Sequence, residues 1–107
     1  AGLTTSDIDL VACAASGVSR VDLAEEEGLA RGFGSDVATL ATKGLWGETF
    51  GAAAALSMAA AVGYLSGITP SPLLRGEPPA QLRHVLVTAI GYYGNVSAVI
   101  LRKRDRA

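Results

Sequence analysis

The sequence has few charged side chains, a single cysteine and a single histidine. Nine Lys and Arg against ten Asp and Glu leave a net charge of -1, so no basic field favours nucleic acid as a partner. Cys13 has no second cysteine for an internal disulfide, which agrees with a reducing compartment, and we expect the cytoplasm. His84 has no neighbour at a catalytic-triad or metal-ligand spacing, and no phosphate loop or dinucleotide fingerprint occurs. Composition therefore predicts neither a metal nor a nucleotide cofactor.

The totals exclude a disordered chain, because half of the residues are hydrophobic and only 18% are charged. A length of 107 residues predicts one domain, which we assign to 1–107. The chain begins at Ala1 and not at Met, so we expect it to be part of a longer protein.

A long segment, 49–74, carries no charge at all. Within it, 50–68 approaches the length of a membrane span, about 20 residues. Most of these residues are Ala and Gly, which are weakly apolar, and Ser57 and Ser66 interrupt them. We therefore predict a buried helix, closed by Gly67 and Pro70, and not a membrane span.

Hydrophobic runs predict an α/β fold. Strands are predicted over 10–14, 36–41, 84–89 and 96–101, and a first helix over 20–32. The stretch 70–79 contains four prolines and is predicted to be an extended connection without a strand. The order strand, helix, strand, helix, strand, strand predicts a mixed sheet covered by helices, with the last two strands antiparallel.

Three segments carry motifs. A strand runs into a turn of small residues with Asp22 and Glu25 after it, a lysine and glycines precede the long helix, and a glycine–tyrosine turn separates the last two strands. They read IDLVACAASGV over 8–18, TKGLWGETFGAA over 42–53 and GYYGNVSA over 91–98.

In this order the segments resemble the C-terminal half of a β-ketoacyl synthase of the thiolase superfamily, over nearly the whole chain. The family's first motif is a strand, then His-Gly-Thr-x-Thr, then an Asp and a Glu on the next helix. Asp22 and Glu25 match these acidic positions. Ala14 stands at the histidine, and Ala15 stands at the glycine that follows it.

The second and third motifs are similarly altered. The family has Lys-Ser-x-x-Gly-His, and here Lys43 matches while Glu48 stands at the histidine. The family's Gly-Phe-Gly-Gly-Thr-Asn-Ala turn resembles the segment containing Gly91, Tyr92 and Gly94, which implies a gate to an acyl pocket.

The resemblance implies how condensation works and what this chain lacks for it. A cysteine thiolate takes an acyl chain, and two histidines stabilise the enolate formed from a malonyl thioester. Ala14 has no side-chain donor, and a carboxylate at Glu48 would repel an enolate. We therefore expect no catalytic residue and no cofactor in this chain alone, although the family's members are acyltransferases.

Several retained residues are expected to be structural. Lys43, Asp22 and Glu25 belong to an ionic and hydrogen-bonded network in the family, and we interpret them here as a link between the first helix and the loop before the long helix. Cys13 is interpreted as a small buried hydrophobe and not as a nucleophile.

Three hypotheses remain open. The leading one is a non-catalytic, chain-length-factor-like subunit that supports condensation in fatty acid or polyketide biosynthesis. Its partners would be an N-terminal half or another ketosynthase-like chain, together with acyl carrier protein. The second is half of an atypical acyltransferase or ketosynthase, whose nucleophile lies in a missing N-terminal half and whose general acid or base is Glu48. The third is an interaction module without acyl chemistry.

Overall fold

The computed structural model describes residues 2–15, 19–34, 37–43, 53–70, 73–91 and 95–104. A short 3-10 turn, Thr5–Asp7, precedes the first strand. The helices are α1 (Ser19–Phe33) and α2 (Ala53–Leu65), and the strands are β1 (Leu10–Ala12), β2 (Ala38–Leu40), β3 (Leu73–Arg75), β4 (His84–Ile90) and β5 (Val96–Arg102).

The described strands form one mixed sheet in the order β3-β2-β1-β4-β5. β1 lies in the middle and pairs in parallel with both β2 and β4. β5 runs antiparallel to β4 along all seven of its residues, from His84 opposite Arg102 to Ile90 opposite Val96. The predicted α/β class, and the predicted antiparallel pairing of the last two strands, are confirmed.

β3 is a difference from the sequence prediction. Leu73–Arg75 lies in the stretch that we predicted to contain no strand, yet it pairs antiparallel with β2. Gly76 then turns the chain with a φ of +72°, and a Cβ there would lie 3.2 Å from the Cα of Ala38. Three residues carry no periodicity of their own, so this strand exists only because β2 supplies its hydrogen-bonding partner.

The core lies between one face of the sheet and α2. Leu10, Leu40 and Val85 are fully buried on the strands, and Ala60 and Ala61 meet them from the helix. Because alternate strand residues point to the same face, the small alanines can lie close against these larger side chains. A buried hydrogen bond of 3.2 Å between the hydroxyls of Thr42 and Ser57 satisfies both polar groups. The predicted helix is present over its described residues, and the face it turns to the sheet is buried while the opposite face is open.

α2 ends in a Schellman motif. The amide of Ile68 donates to the carbonyl of Gly63 at 2.9 Å, and the amide of Gly67 donates to that of Tyr64 at 3.1 Å. Gly67 has a φ of +87°, a left-handed conformation that favours glycine at this position. The helix therefore stops at the glycine that the sequence indicated. No helix in the described ranges combines the length and the hydropathy that crossing a membrane requires.

α1 covers the opposite face of the sheet only loosely. None of its residues is buried, whereas α2 has five that are. An open cleft of about 660 Å³ separates α1 from the ends of β4 and β5. Polar contacts through Glu25 and Glu26 attach α1 to the sheet and to the turn after β1.

Candidate functional site

The described residues next to the turns of the three motif segments lie at one edge of the sheet. Ala14 follows β1, Lys43 follows β2 and Gly91 follows β4, and these three strands are parallel neighbours. Parallel strands present their carboxyl ends at the same edge. The chain leaves β1 toward β2 on one side while β4 lies on the other, so a topological switch point falls between β1 and β4. Ligands of open α/β sheets bind outside the carboxyl ends of the strands at such a point.

The carboxylate of Glu25 organises this edge. Its Oε2 accepts a hydrogen bond from the backbone amide of Ala14 at 2.8 Å, and its Oε1 accepts one from the amide of Ala15 at 2.9 Å. The hydroxyl of Thr88 on β4 donates to the same Oε2 at 3.1 Å. One side chain of α1 therefore connects the turn after β1 with the neighbouring strand. Hydrogen bonds to a charged acceptor are stronger than those between neutral groups.

The turn that Glu25 holds is strained. Ala15 has a φ of +39°, and it is the only residue other than glycine with positive φ in the described part of the chain. A Cβ is unfavourable in this region of φ because it approaches the backbone. The resemblance places a glycine of the family's motif at this position, and the φ of Ala15 is one that glycine adopts more readily than alanine.

Ala14, which the resemblance places at the first histidine position, is 6% exposed. Its methyl group offers no donor, and its backbone amide is already bonded to Glu25. The amide of Ala15 is bonded in the same way. Neither residue retains a backbone N–H that is free for a bound thioester.

Cys13 next to it is an inert thiol. Its Sγ donates to the carbonyl of Leu40 at 3.3 Å. Burial, followed by the nearby charge of Glu25, raises the pKa of this thiol to about 12. Because the thiolate is the nucleophilic form, the folded protein holds this cysteine in its unreactive form near neutral pH.

Gly91, at the end of β4, is packed against Asn95. The amide of Gly91 donates to the carbonyl of Asn95 at 2.6 Å. A Cβ on Gly91 would overlap the side-chain amide of Asn95, so the close approach requires glycine. Tyr92 and Gly94 lie outside the described residues, as does Glu48. The acyl gate and the second histidine position therefore stay predictions.

The remaining acidic and basic residues of the predicted network are near this edge. Asp22 precedes Glu25 by three residues on α1, and Lys43 follows the buried Thr42; both are half-buried. The predicted ionic link between the helix and the loop before α2 stays a prediction. Thr88 was missed by the sequence reading, because a threonine inside a strand carries no signal that it will meet a glutamate 63 residues away.

His84 is far along β4 from the candidate edge, since it opens the strand that Gly91 follows. Its backbone amide donates to Oδ2 of Asp9 at 3.1 Å. In the described ranges no cluster of three or more His, Cys, Asp or Glu side chains has the arrangement of a metal site.

A family model described as the C-terminal domain of β-ketoacyl synthase matches residues 1–74. The match includes the turn after β1, α1, the segment with Lys43 and Glu48, and α2. The segment around Gly91 falls outside it. No curated protein sequence matches the chain.

Proposed function

The chain belongs to the β-ketoacyl synthase C-terminal domain family, and from this premise we propose that it is a non-catalytic, chain-length-factor-like component of acyl-chain condensation in fatty acid or polyketide biosynthesis. It supplies one half of the fold and part of the pocket wall. An active ketosynthase supplies the chemistry, with acyl carrier protein as the carrier of the substrates.

The observation that carries the proposal is the state of position 14. Condensation needs a hydrogen-bond donor directed at a developing enolate. Ala14 has none in its side chain, and Glu25 occupies the amides of both Ala14 and Ala15. The carboxylate of Glu25 thus fixes the turn, although the chain has alanine where the family's motif has histidine.

The identity of residue 48 supports the same conclusion. Where the family has a second histidine, this chain has Glu48. In its ordinary ionised form a glutamate repels negative charge that develops on a thioester, so the two substitutions weaken the same step.

The surface of α2 supports a role beside a partner. A helix that carries no charge on any side is typical of full burial. α2 has no charged residue, yet its face away from the sheet is open, with Ala55, Ala59 and Val62 exposed. A partner half or chain packed against this face would bury it.

The test is malonyl decarboxylation in a reconstituted pair. The chain is mixed with an active ketosynthase partner, and separately with the same partner after replacement of the partner's own two active-site histidines by alanine. Loss of the malonyl group from malonyl-acyl carrier protein is followed by mass spectrometry. We expect decarboxylation and condensation only with the active partner.

Decarboxylation by this chain alone, or by its complex with the histidine-less partner, would contradict the proposal. A control for the readout is the double variant Ala14→His with Glu48→His, whose restored donors are expected to increase decarboxylation in the complex with the histidine-less partner.

A further inference from the structure

The outer edge of β5 is an unpaired and unprotected strand edge. Among the described residues, β5 is hydrogen-bonded to β4 on one side and to no strand on the other. Val96, Val99 and Ile100 are 69%, 43% and 39% exposed, so apolar side chains emerge on both faces of the strand. Proteins usually blunt such an edge with proline, with charge, with a bulge or by making the strand short. β5 has seven residues and no proline, and its only charged residue is Arg102 at the end.

The opposite edge of the same sheet is protected in several of these ways. β3 has three residues, and its register with β2 is irregular between Thr39 and Leu40. Arg75 on this strand forms an ion pair of 2.7 Å with Glu26 of α1. The contrast between the two edges indicates that β5 is suited to pairing with another strand.

The backbone pattern identifies which residues of β5 are available. The amide of Gly91 donates to the carbonyl of Asn95, and the amide of Lys103 donates to the carbonyl of Arg83. Hydrogen-bonded pairs alternate along an antiparallel ladder, so the odd-numbered residues of β5 bond to β4. The even-numbered ones direct their N–H and C=O groups to the open edge; these are Val96, Ala98, Ile100 and Arg102.

We propose that this edge pairs with β5 of a second copy of the chain, antiparallel and centred on Val99. In this register Val96 lies opposite Arg102 of the second copy and Ala98 lies opposite its Ile100. The outward-directed N–H and C=O groups of these four residues then form hydrogen bonds with the corresponding groups of the second copy. A register displaced by one residue would set them against residues whose backbone groups point to β4.

The side chains are self-complementary in the same register. Val99 meets its own copy in a pair that is not hydrogen-bonded, where side chains are closest and β-branched pairs are favourable. The two Arg102 residues lie at opposite ends, about 20 Å apart at roughly 3.4 Å per residue, which exceeds the Debye length at physiological salt. No like charges therefore oppose the pairing. The inference uses the edge of β5 and does not depend on the proposed function.

Disulfide trapping tests the register directly. The Cα atoms of a pair that is not hydrogen-bonded are about 4.5 Å apart, within the range of a disulfide. Val99→Cys is therefore expected to give a covalent dimer under mild oxidation. Ser97→Cys is the matched control, because its two copies would be about 14 Å apart. A mixture of Ser97→Cys with Leu101→Cys should again crosslink, since residues 97 and 101 are opposite each other. Cys13 is buried and present in all samples alike.

Sedimentation equilibrium of the unmodified chain provides the second measurement. We expect a mass that rises toward the dimer with concentration, and a dissociation constant raised about tenfold or more by Val99→Lys, which sets two ammonium groups against each other. Ala98→Pro should have the same effect, because the amide it removes points to the open edge and not to β4. Leu23→Lys, at an apolar site on α1 that is 64% exposed, should leave the association unchanged.

A chain that stays monomeric at all concentrations would overturn the proposal. A dimer that persists in both Val99→Lys and Ala98→Pro would also overturn it, since the contact would then lie elsewhere, for example on α2. Equal crosslinking of Val99→Cys and Ser97→Cys would exclude the register.

Discussion

At the scale of single residues, the centre of the candidate site is a glutamate that binds two backbone amides and one threonine hydroxyl. Glu25 accepts hydrogen bonds from Ala14, Ala15 and Thr88. These bonds offset the strain of a positive φ at Ala15, because each bond to a charged acceptor contributes more than a neutral one. The glutamate thus has a structural role at the edge of the sheet where the resemblance predicts the first histidine position.

Replacing the strained alanine should stabilise the protein. Ala15→Gly is expected to raise the free energy of unfolding by about 1 kcal/mol, because glycine adopts a φ of +39° without steric cost. The greater conformational freedom of glycine in the unfolded chain opposes this gain and limits its size. Ala24→Gly, at an exposed position inside α1, should lower it by about 1 kcal/mol. Urea unfolding measures both. Destabilisation of similar size by the two variants would show that φ at position 15 is not strained.

Removing the carboxylate should destabilise the same turn. Glu25→Ala leaves two backbone amides and the Thr88 hydroxyl without their acceptor, and we expect a loss of about 2 kcal/mol in the free energy of unfolding. Glu27→Ala is the control, since Glu27 forms an exposed pair with Arg31 and its replacement should cost about 0.5 kcal/mol or less. Equal losses from the two variants in urea titrations would contradict the structural role.

The Cys13 thiol should be protected from alkylation. Burial raises the pKa of this thiol from its ordinary value of 9.0 to about 12, so the folded protein at pH 9 should react with iodoacetamide about a hundredfold more slowly than the same chain in denaturant. As the pH rises, the thiol ionises in the unfolded chain before it ionises in the folded protein. The contribution of Cys13 to the stability of the fold is therefore fully present below pH 9 and is lost as the pH rises toward 12. Equal alkylation rates for folded and unfolded chain would contradict the burial.

At the scale of elements, the two helices differ in what holds them. α2 is fixed by its apolar contact with the sheet and by the Schellman motif at Gly67, whereas α1 has no buried residue and depends on polar contacts from Glu25 and Glu26. We therefore expect α1 to be the less stable helix, with faster amide exchange than α2.

Two glycine substitutions compare the end of α2, where glycine is required, with the interior of α1, where it is not. Gly67→Ala should lower the free energy of unfolding by about 1 kcal/mol, because Gly67 has a φ of +87° at the end of α2. Gly28→Ala should raise it by up to about 1 kcal/mol, since Gly28 lies inside α1 and an added Cβ meets no atom within 4 Å. Thermal unfolding followed by circular dichroism compares them, and effects of the same sign would contradict the assignment of these two positions.

At the scale of the whole molecule, the described residues form a sheet with one well-packed helix and one loosely packed helix. The outer face of α2, the cleft beside α1 and the edge of β5 all expose apolar atoms. A chain of 107 residues buries a smaller fraction of its surface than a larger domain does. We therefore expect the free energy of unfolding of this chain to increase when a partner half or a second copy binds to it.

The proposed partner half should stabilise the chain by binding to the outer face of α2. Addition of the N-terminal half of a ketosynthase is expected to raise the melting temperature, because a ligand that binds only the folded state shifts unfolding by mass action. Val62→Lys, at a site 53% exposed, should weaken this binding about tenfold by placing a charge in an apolar contact, and leave the melting temperature of the isolated chain unchanged. Leu23→Lys on α1 is the control that should not affect binding. Unchanged binding of Val62→Lys in titration calorimetry would count against α2 as the contact surface.

The sequence by itself determined the family, the two helices and four of the five described strands, because these elements and the capping glycine depend on neighbours in the chain. The strands around Leu10 and Val85 and the uncharged helix that stops at Gly67 follow from local patterns. Only the tertiary structure decided which groups meet across the fold. The pairing of β3 with β2, the contact of Glu25 with Thr88 and the open edge of β5 arise from contacts between distant residues, which no local pattern specifies.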